Sequence, residues 1–270
     1  MDSWEQMERL SAQERQAIFR NCRGYWLGYG YADRIDERMT LYRSGVRDPQ
    51  MNGVFWTADA AADIGVARQR LGDLPWYWWV GPDSHPDAAE ILLANGARLV
   101  GSAPVMAAEV DKLEQPPVPE GYTVERLDES ADLSQWVASY APSMGIASTE
   151  LPALSVVEKG RRDPPGALTR FAARQGDKIV AVSELFLSDN VAGIYLVATD
   201  AGHRRRGLGA AVTAAAIEHG RSKGARIATL QASPLGLPLY RRLGFVVVAE
   251  YRIFSLPGVG GMDDRDRIGE

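Results

Sequence analysis

Residues 203–210 read His-Arg-Arg-Arg-Gly-Leu-Gly-Ala and combine three cationic side chains with two closely spaced glycines. An apolar run typical of a β-strand, residues 192–199, precedes this segment, and a pattern typical of a helix, residues 208–223, follows it. The first N–H groups of a helix have no partner within the helix and carry the positive end of its dipole, so they bind anions. Glycine has no side chain that would block such an anion. The segment therefore predicts a cradle for the phosphates of a cofactor.

Two common phosphate-binding loops do not fit this segment. The NTP-binding loop needs a lysine and a serine or threonine directly after its last glycine, and the dinucleotide fingerprint needs a third glycine where Val212 stands. The pattern Arg-x-x-Gly-x-Gly, met by Arg204, Gly207 and Gly209, resembles the signature of the GNAT superfamily of acyl-CoA-dependent N-acyltransferases. Considered alone, the arginines are equally typical of a solvated charged loop.

The order of the elements after the loop strengthens this resemblance. The helix pattern is followed by a strand pattern, a proline-containing loop and a short segment that carries Tyr240. A Gly-Phe pair at 244–245 then leads into a β-branched and aromatic run over 246–254. The family has these elements in the same order, so the resemblance covers residues 120–256. It implies an α/β (α+β) fold in which a mixed, mostly antiparallel sheet is flanked by helices.

The resemblance implies acetyl-CoA as the co-substrate and no metal. The pyrophosphate would lie over the N–H groups of the glycine loop, with the arginines at its rim. The amides of the pantetheine arm would pair with the exposed edge of the preceding strand, which in the family splays from the next strand. The cofactor-binding residues implied in this way are Val197, Thr199, Arg204, Arg205, Arg206, Gly207, Leu208, Gly209 and Ala210.

Two side chains are candidates for catalysis. By resemblance, Tyr240 protonates the departing thiolate of coenzyme A, a role that suits a hydroxyl with an ordinary pKa near 10. A tyrosine packed in the core is the alternative. Glu184 lies one hairpin before the cofactor strand and is the candidate general base for the amine, directly or through water. A carboxylate on the solvent face of the sheet explains Glu184 equally well, and Tyr195 is the other polar candidate on the cofactor strand.

Whole-chain quantities limit the possible functions. The chain has 270 residues, of which 46% are hydrophobic, a formal charge of −5 and one cysteine, Cys22. The acidic balance argues against a general nucleic-acid binder, and one cysteine excludes an internal disulfide or a cysteine-built zinc site. No run is long enough to span a membrane, and the start lacks the pattern of a signal peptide. We expect a cytoplasmic monomer or homodimer that contacts neither nucleic acid nor membrane.

A proline-rich segment, residues 114–121, indicates how the chain is divided. Its three prolines and one glycine can neither continue a helix nor pair as a central strand, which predicts a linker. We expect one domain over residues 1–113, a catalytic domain over 122–258 and a flexible tail over 259–270.

The first domain contains a faint repeat of the second. Leu92 aligns with Tyr240, and Gly96 aligns with Gly244. In both places a strand and a proline-containing loop come before the segment, and apolar strands follow it. If the repeat is real, the first domain is a degenerate GNAT-like domain, because the tyrosine and the Arg-x-x-Gly-x-Gly pattern are missing from it. Coincidence is the alternative, since helices that end in glycine before a strand are common.

Two aromatic segments are candidates for the wall of an acceptor pocket. Trp136, Tyr140 and Met144 recur at helical spacing over residues 133–144, a pattern that favours core packing over a pocket. The run Pro-Trp-Tyr-Trp-Trp-Val at 75–80 favours a strand covered on both faces, in contact with the other domain, over a surface on which a substrate stacks.

From these features we predict an acetyl-CoA-dependent N-acetyltransferase that acts on the primary amine of a small molecule. The transfer would be direct, in a ternary complex, because no nucleophile and base are paired in the sequence. A protein N-terminal or lysine acetyltransferase and a non-catalytic acyl-CoA-binding regulatory module are the alternatives.

Overall fold

The computed structural model describes residues 10–128 and 133–259. The predicted tail lies outside the described residues except for Val259. Seven α-helices occur within them: α1 (Ala12–Leu27), α2 (Ala60–Leu71), α3 (Ala88–Ala94), α4 (Ser134–Tyr140), α5 (Leu151–Lys159), α6 (Leu208–Ser222) and α7 (Leu237–Arg242). The strands there are β1 (Asp33–Asp36), β2 (Met39–Arg43), β3 (Asn52–Thr57), β4 (Tyr77–Val80), β5 (Arg98–Glu109), β6 (Thr123–Arg126), β7 (Leu168–Gln175), β8 (Lys178–Ser188), β9 (Val191–Thr199), β10 (Ile227–Gln231) and β11 (Val246–Ser255).

These strands form one sheet in the order β1-β2-β3-β4-β11-β5-β10-β9-β8-β7-β6. Neighbours run antiparallel except in two pairs, β3 with β4 and β9 with β10, which run parallel. Parallel neighbours need a crossover connection, and a helix lies in each one, α2 in the first half of the chain and α6 in the second. The predicted fold class, a mixed and mostly antiparallel sheet flanked by helices, is confirmed.

The two halves exchange strands at the centre of the sheet. β5 belongs to the first half, yet it lies between β10 and β11, and Met106 is in register with both Leu230 and Val247. β11 is the last strand of the chain, yet it lies between β4 and β5 and pairs Ile253 with Trp79. Each half therefore supplies a strand to the sheet of the other.

The repeat expected from the sequence is present in this topology. In each half a strand, a crossover helix, a parallel strand, a short helix and an antiparallel strand follow one another. The short helices α3 and α7 are followed by Gly96 at φ +80° and Gly244 at φ +102°. Both values lie in the left-handed region that glycine tolerates at the end of a helix. Leu92 and Tyr240 are buried at matching places on these helices.

Helices cover both faces of the sheet. One face carries α1, α4 and α5 over a core that extends across both halves. The other face carries α2 and α3 in the first half and α6 and α7 in the second. Trp78 and Trp79 belong to these opposite cores, so the strand is covered on both faces, and Trp79 also borders the cleft described below. Trp136 and Tyr140 are fully buried, as the core-packing interpretation predicts, whereas Met144 lines the cleft described below. None of the described helices is both long enough and apolar enough to cross a membrane.

Candidate active site

The candidate site begins where β9 and β10 separate. Their pairing ends at Gly193 and Thr229, whereas β9 continues to Thr199 and stays paired with β8 along its other side. Leu196 has a φ of +47° and lies next to a register shift in the β8–β9 pairing. β9 therefore has a bulge at this point, and a bulge bends its strand. Beyond Gly193, no described strand pairs with the edge of β9 that faces β10. An extended ligand with amide groups can pair with such an edge.

The glycine loop lies at the end of this edge. Gly207, at φ +85°, is the N-cap of α6, and no described side chain caps the first N–H groups of the helix. A side chain at Gly207 would be strained in this conformation. A Cβ at Gly209 would lie 3.7 Å from Oγ1 of Thr199 and 4.0 Å from Cγ1 of Val197, so the loop and the strand edge meet. The helix start is thereby presented to an anion beside an unpaired strand edge.

The three arginines of the loop lie in different places. Arg204 and Arg205 line the cleft that opens at the loop, and Arg204 Nε also donates a hydrogen bond of 3.3 Å to the carbonyl of Thr199. Arg206 lies outside that lining, and its guanidinium donates to the hydroxyl of Tyr122 at 3.0 Å and to the carbonyl of Gly202 at 3.2 Å. Two of the three cations are therefore placed to contact a ligand.

The cleft has a volume of about 1070 Å³. Its lining includes Tyr240 and every cofactor residue expected from the sequence except Arg206, but it does not include Glu184. The first half of the chain contributes Tyr25, Trp26, Gln50, Trp79, Ser102 and Ala103. Both halves therefore build the site.

Tyr240 lies on α7, at the wall of this cleft. Its ring meets Phe245 edge-on, with the ring centres 6.0 Å apart, and 6% of its surface is exposed. Burial raises the pKa of the hydroxyl above its ordinary value. Tyr240 is therefore protonated at neutral pH, as a proton donor must be.

Glu184 is fully buried, so the solvent-face interpretation of this residue is wrong. Its carboxylate accepts a 2.8 Å hydrogen bond from the Tyr25 hydroxyl and lies 2.8 Å from Nε of Arg170. Arg170 also bonds the buried carboxylate of Glu158 at 2.6 Å. Burial first, and then the charge of Glu158, raise the pKa of Glu184 to about 7, although Arg170 and Arg161 oppose this. A carboxyl group with such a pKa is suited to accept a proton near neutral pH.

Tyr25, on α1, both contacts this carboxylate and belongs to the lining of the cleft. Its ring lines the cleft and stacks on Tyr195, with centres 3.7 Å apart and planes 6° from parallel. The guanidinium of Arg161 also lies over the Tyr25 ring, 4.6 Å from its centre. Burial, and then the charge of Glu184, raise the pKa of Tyr25 well above 10. Tyr25 is thus a lining residue whose protonated hydroxyl contacts Glu184 and, at 3.0 Å, the hydroxyl of Tyr29.

Sequence reasoning missed the contribution of α1. The helix itself is well marked, because Ser11 and Glu14 form a capping box at its start. Its packing on β8 and β9 depends on Asn21, whose amide donates to the carbonyls of Phe186 and Val191. These contacts join residues more than 160 positions apart in the chain, and no local pattern signals them.

The equivalent helix start in the first half differs in charge. The N-cap of α2 is Asp59, whose carboxylate accepts a hydrogen bond of 3.1 Å from the N–H of Ala62. Asp63, in the first turn, adds a second carboxylate. Asp63 pairs with Arg38, and Asp59 already caps the helix, so this start does not offer a phosphate the uncapped N–H groups found at α6.

Comparisons with known proteins agree with this geometry. The sequence model of the acetyltransferase (GNAT) family matches residues 130–245. No curated protein sequence matches the chain.

Solved structures share the fold across both halves. A GCN5-related N-acetyltransferase from Kribbella flavida is 20% identical, with a TM-score of 0.65 over 90% of this chain and 96% of its own. A tandem GNAT protein from the clavulanic acid biosynthesis pathway is 13% identical, with a TM-score of 0.56 over 84% of this chain and 79% of its own. A protein of unknown function from Staphylococcus epidermidis is 13% identical, with a TM-score of 0.59 over 83% and 94%. Residues 130–245 are therefore a domain of the acetyltransferase (GNAT) family, and both halves of the chain share the fold of these solved structures.

Proposed function

We propose that the protein is an acetyl-CoA-dependent N-acetyltransferase that acetylates the primary amine of a small molecule by direct transfer in a ternary complex. One observation carries the proposal. The uncapped start of α6, the unpaired edge of β9 and the Tyr240 ring all border the same cleft.

The residues present fit acetyl-CoA. The N–H groups at Gly207, Leu208, Gly209 and Ala210 would hold the pyrophosphate, and Arg204 and Arg205 would add charge-assisted contacts. The backbone at Val197 and Thr199 would pair with the amides of the pantetheine arm. When bound, acetyl-CoA supplies an acyl group activated as a thioester.

The proton transfers are assigned to two tyrosines and one carboxylate. The attacking amine forms a C–N bond to the acetyl carbon while the C–S bond breaks. Tyr25 accepts the proton of the amine and passes its own proton to Glu184 along their 2.8 Å hydrogen bond. Tyr240 donates its proton to the departing thiolate, and burial of that hydroxyl keeps it protonated until this step.

The test is an assay of thiol release from acetyl-CoA with a panel of primary amines, in which mass spectrometry identifies the acetylated product. We expect at least one amine to give thiol and N-acetyl product in equal amounts. Tyr240→Phe keeps the ring and removes the hydroxyl, so it is the matched inactive control. Binding of acetyl-CoA without acetylation of any amine, in the panel or in a peptide, would leave a binding module as the better description.

A further inference from the structure

We infer that the first half of the chain forms the acceptor-binding wall of the cleft, and that the acceptor is a small monoamine with an apolar or aromatic body. This inference rests on the proposed function, because it names the substrate class of the same site. It also predicts ligand binding that can be measured without turnover.

The wall away from the glycine loop is aromatic. Tyr25 and Trp26 of α1 and Trp79 of β4 line the cleft together with Tyr195 of β9. Their rings pack on one another, with Trp26 and Trp79 centres 5.7 Å apart, so the wall is held in place before a ligand arrives. Aromatic surfaces of this kind bind apolar and aromatic groups.

The charges of the lining exclude a polycation. Its charged residues are Arg204, Arg205 and Arg242, and no aspartate or glutamate is among the described residues that line it. A second or third ammonium group on the acceptor would therefore enter the cleft without a compensating carboxylate, which is costly in a site partly closed to water. The proposed base, Glu184, lies outside the lining. It contacts the Tyr25 hydroxyl and would take up the proton of one amine only.

An exposed leucine in the lining also favours an apolar acceptor. Leu235, in the loop between β10 and α7, lines the cleft and is 76% exposed. It is the most exposed of the large apolar side chains in the described part of the chain. A ligand with an apolar body would cover this side chain and remove its surface from water.

The experiment compares two amine classes on the full chain in the presence of coenzyme A. 2-Phenylethylamine and hexylamine represent the apolar class, and spermidine and an aminoglycoside represent the polycations. Binding is measured by quenching of tryptophan fluorescence and by calorimetry, and acetylation is measured by thiol release. We expect the apolar amines to bind, and their kcat/KM to exceed that of the polycations at least about tenfold.

A variant in the first half tests where the selection is made. Ser102 lies on β5, is exposed and lines the cleft, so Ser102→Asp adds a carboxylate without disturbing the core. We expect Ser102→Asp to shift the preference toward spermidine about tenfold or more, and Ser102→Asn, of similar size and neutral, to leave it unchanged.

The outcomes separate the two proposals. Tighter binding or faster acetylation of spermidine by the wild type, or binding of neither class, would overturn the acceptor inference. Apolar amines that bind without being acetylated would support this inference and count against the acetyltransferase function. Equal preferences in Ser102→Asp and Ser102→Asn would show that the first half does not select the acceptor.

Discussion

The hydroxyl of Tyr25 donates a 2.8 Å hydrogen bond to the carboxylate of Glu184, although the two residues are 159 positions apart in the chain. The bond joins the first helix of the first half to a central strand of the second half. It lies in a buried group of charges in which Arg170 bridges Glu184 and Glu158. A buried network of this kind fixes its members in one arrangement only when each polar group has a partner. Here it holds the hydroxyl of Tyr25, a residue that lines the cleft, against Glu184.

We expect Glu184→Gln and Tyr25→Phe each to lower kcat about 10²- to 10⁴-fold, the usual contribution of general-base catalysis. The base must be deprotonated, so wild-type kcat should fall as the pH drops through about 7, the pKa of Glu184, and the Gln variant should lose this limb. Steady-state kinetics with one acetylated amine between pH 5 and 9 provides the measurement.

Tyr140→Phe is the matched control for that experiment. The Tyr140 hydroxyl donates to Glu158 at 2.8 Å and has no hydrogen bond to Tyr25 or Glu184, so its removal should leave kcat within a small factor of the wild type. Full activity in Tyr25→Phe would exclude the relay through Tyr25 and leave Glu184 a structural ion-pair residue.

Tyr240→Phe should keep the fold and the affinity for coenzyme A, because the ring still packs on Phe245. The loss of the proton donor should lower kcat about 10²- to 10⁴-fold with little change in the KM for acetyl-CoA. Kinetics combined with calorimetric titration of coenzyme A measures both quantities. A phenylalanine variant that turns over normally would reduce Tyr240 to a packing residue.

Coenzyme A should raise the melting temperature, and at about 100 times its Kd it should add about 2.7 kcal/mol to the free energy of unfolding. Gly209→Val should abolish this shift, because its side chain would project among the Thr199, Val197 and Leu239 side chains at the start of α6. Gly96→Ala is the control in the first half. An alanine is strained at the φ of +80° that Gly96 adopts, so this variant should lower the free energy of unfolding but not the affinity for coenzyme A. A melting temperature unchanged by millimolar coenzyme A would refute the assignment of the loop.

Glu184 should also make the stability depend on pH. Its pKa is raised from 4.5 to about 7 in the folded chain, so the folded state binds a proton more tightly than the unfolded state does. The free energy of unfolding should therefore fall as the pH rises between about 4.5 and about 7, and Glu184→Gln should remove that slope. Denaturant unfolding at pH 5 and pH 8 measures it. Asp33→Asn is a contrasting control, because Arg70 lowers the pKa of Asp33 and its contribution is lost only in more acidic solution. A slope that persists in Glu184→Gln would assign the proton to another group.

A fragment that lacks residues 1–113 should not fold stably. Without β5, the facing edges of β10 and β11 lose their common partner, and the core under α1 is opened to water. Circular dichroism and size-exclusion chromatography of the fragment, alone and mixed with the separate first half, provide the check. A fragment that melts cooperatively and binds coenzyme A would show that the second half folds by itself.

Local patterns in the sequence were sufficient for the parts of this protein that depend on a few neighbouring residues. The glycines at 207 and 209 predict a helix start that no side chain caps, and the strand, short helix and Gly-Phe pair around Tyr240 follow from backbone preferences and apolar periodicity. The strand at 75–80, covered on both faces, was predictable for the same reason.

The partners of these elements were decided by tertiary structure. An apolar strand does not encode its neighbour, because any strand with a suitable face can satisfy its hydrogen bonds, and so the exchange of β5 and β11 was not predictable. Glu184 shows the same limit: a single carboxylate on a strand fits both the solvent face and the interior. A buried carboxylate needs hydrogen bonds and a counter-charge. Tyr25 of α1 supplies a hydrogen bond and Arg170 supplies the charge, and only the tertiary structure brings them to Glu184.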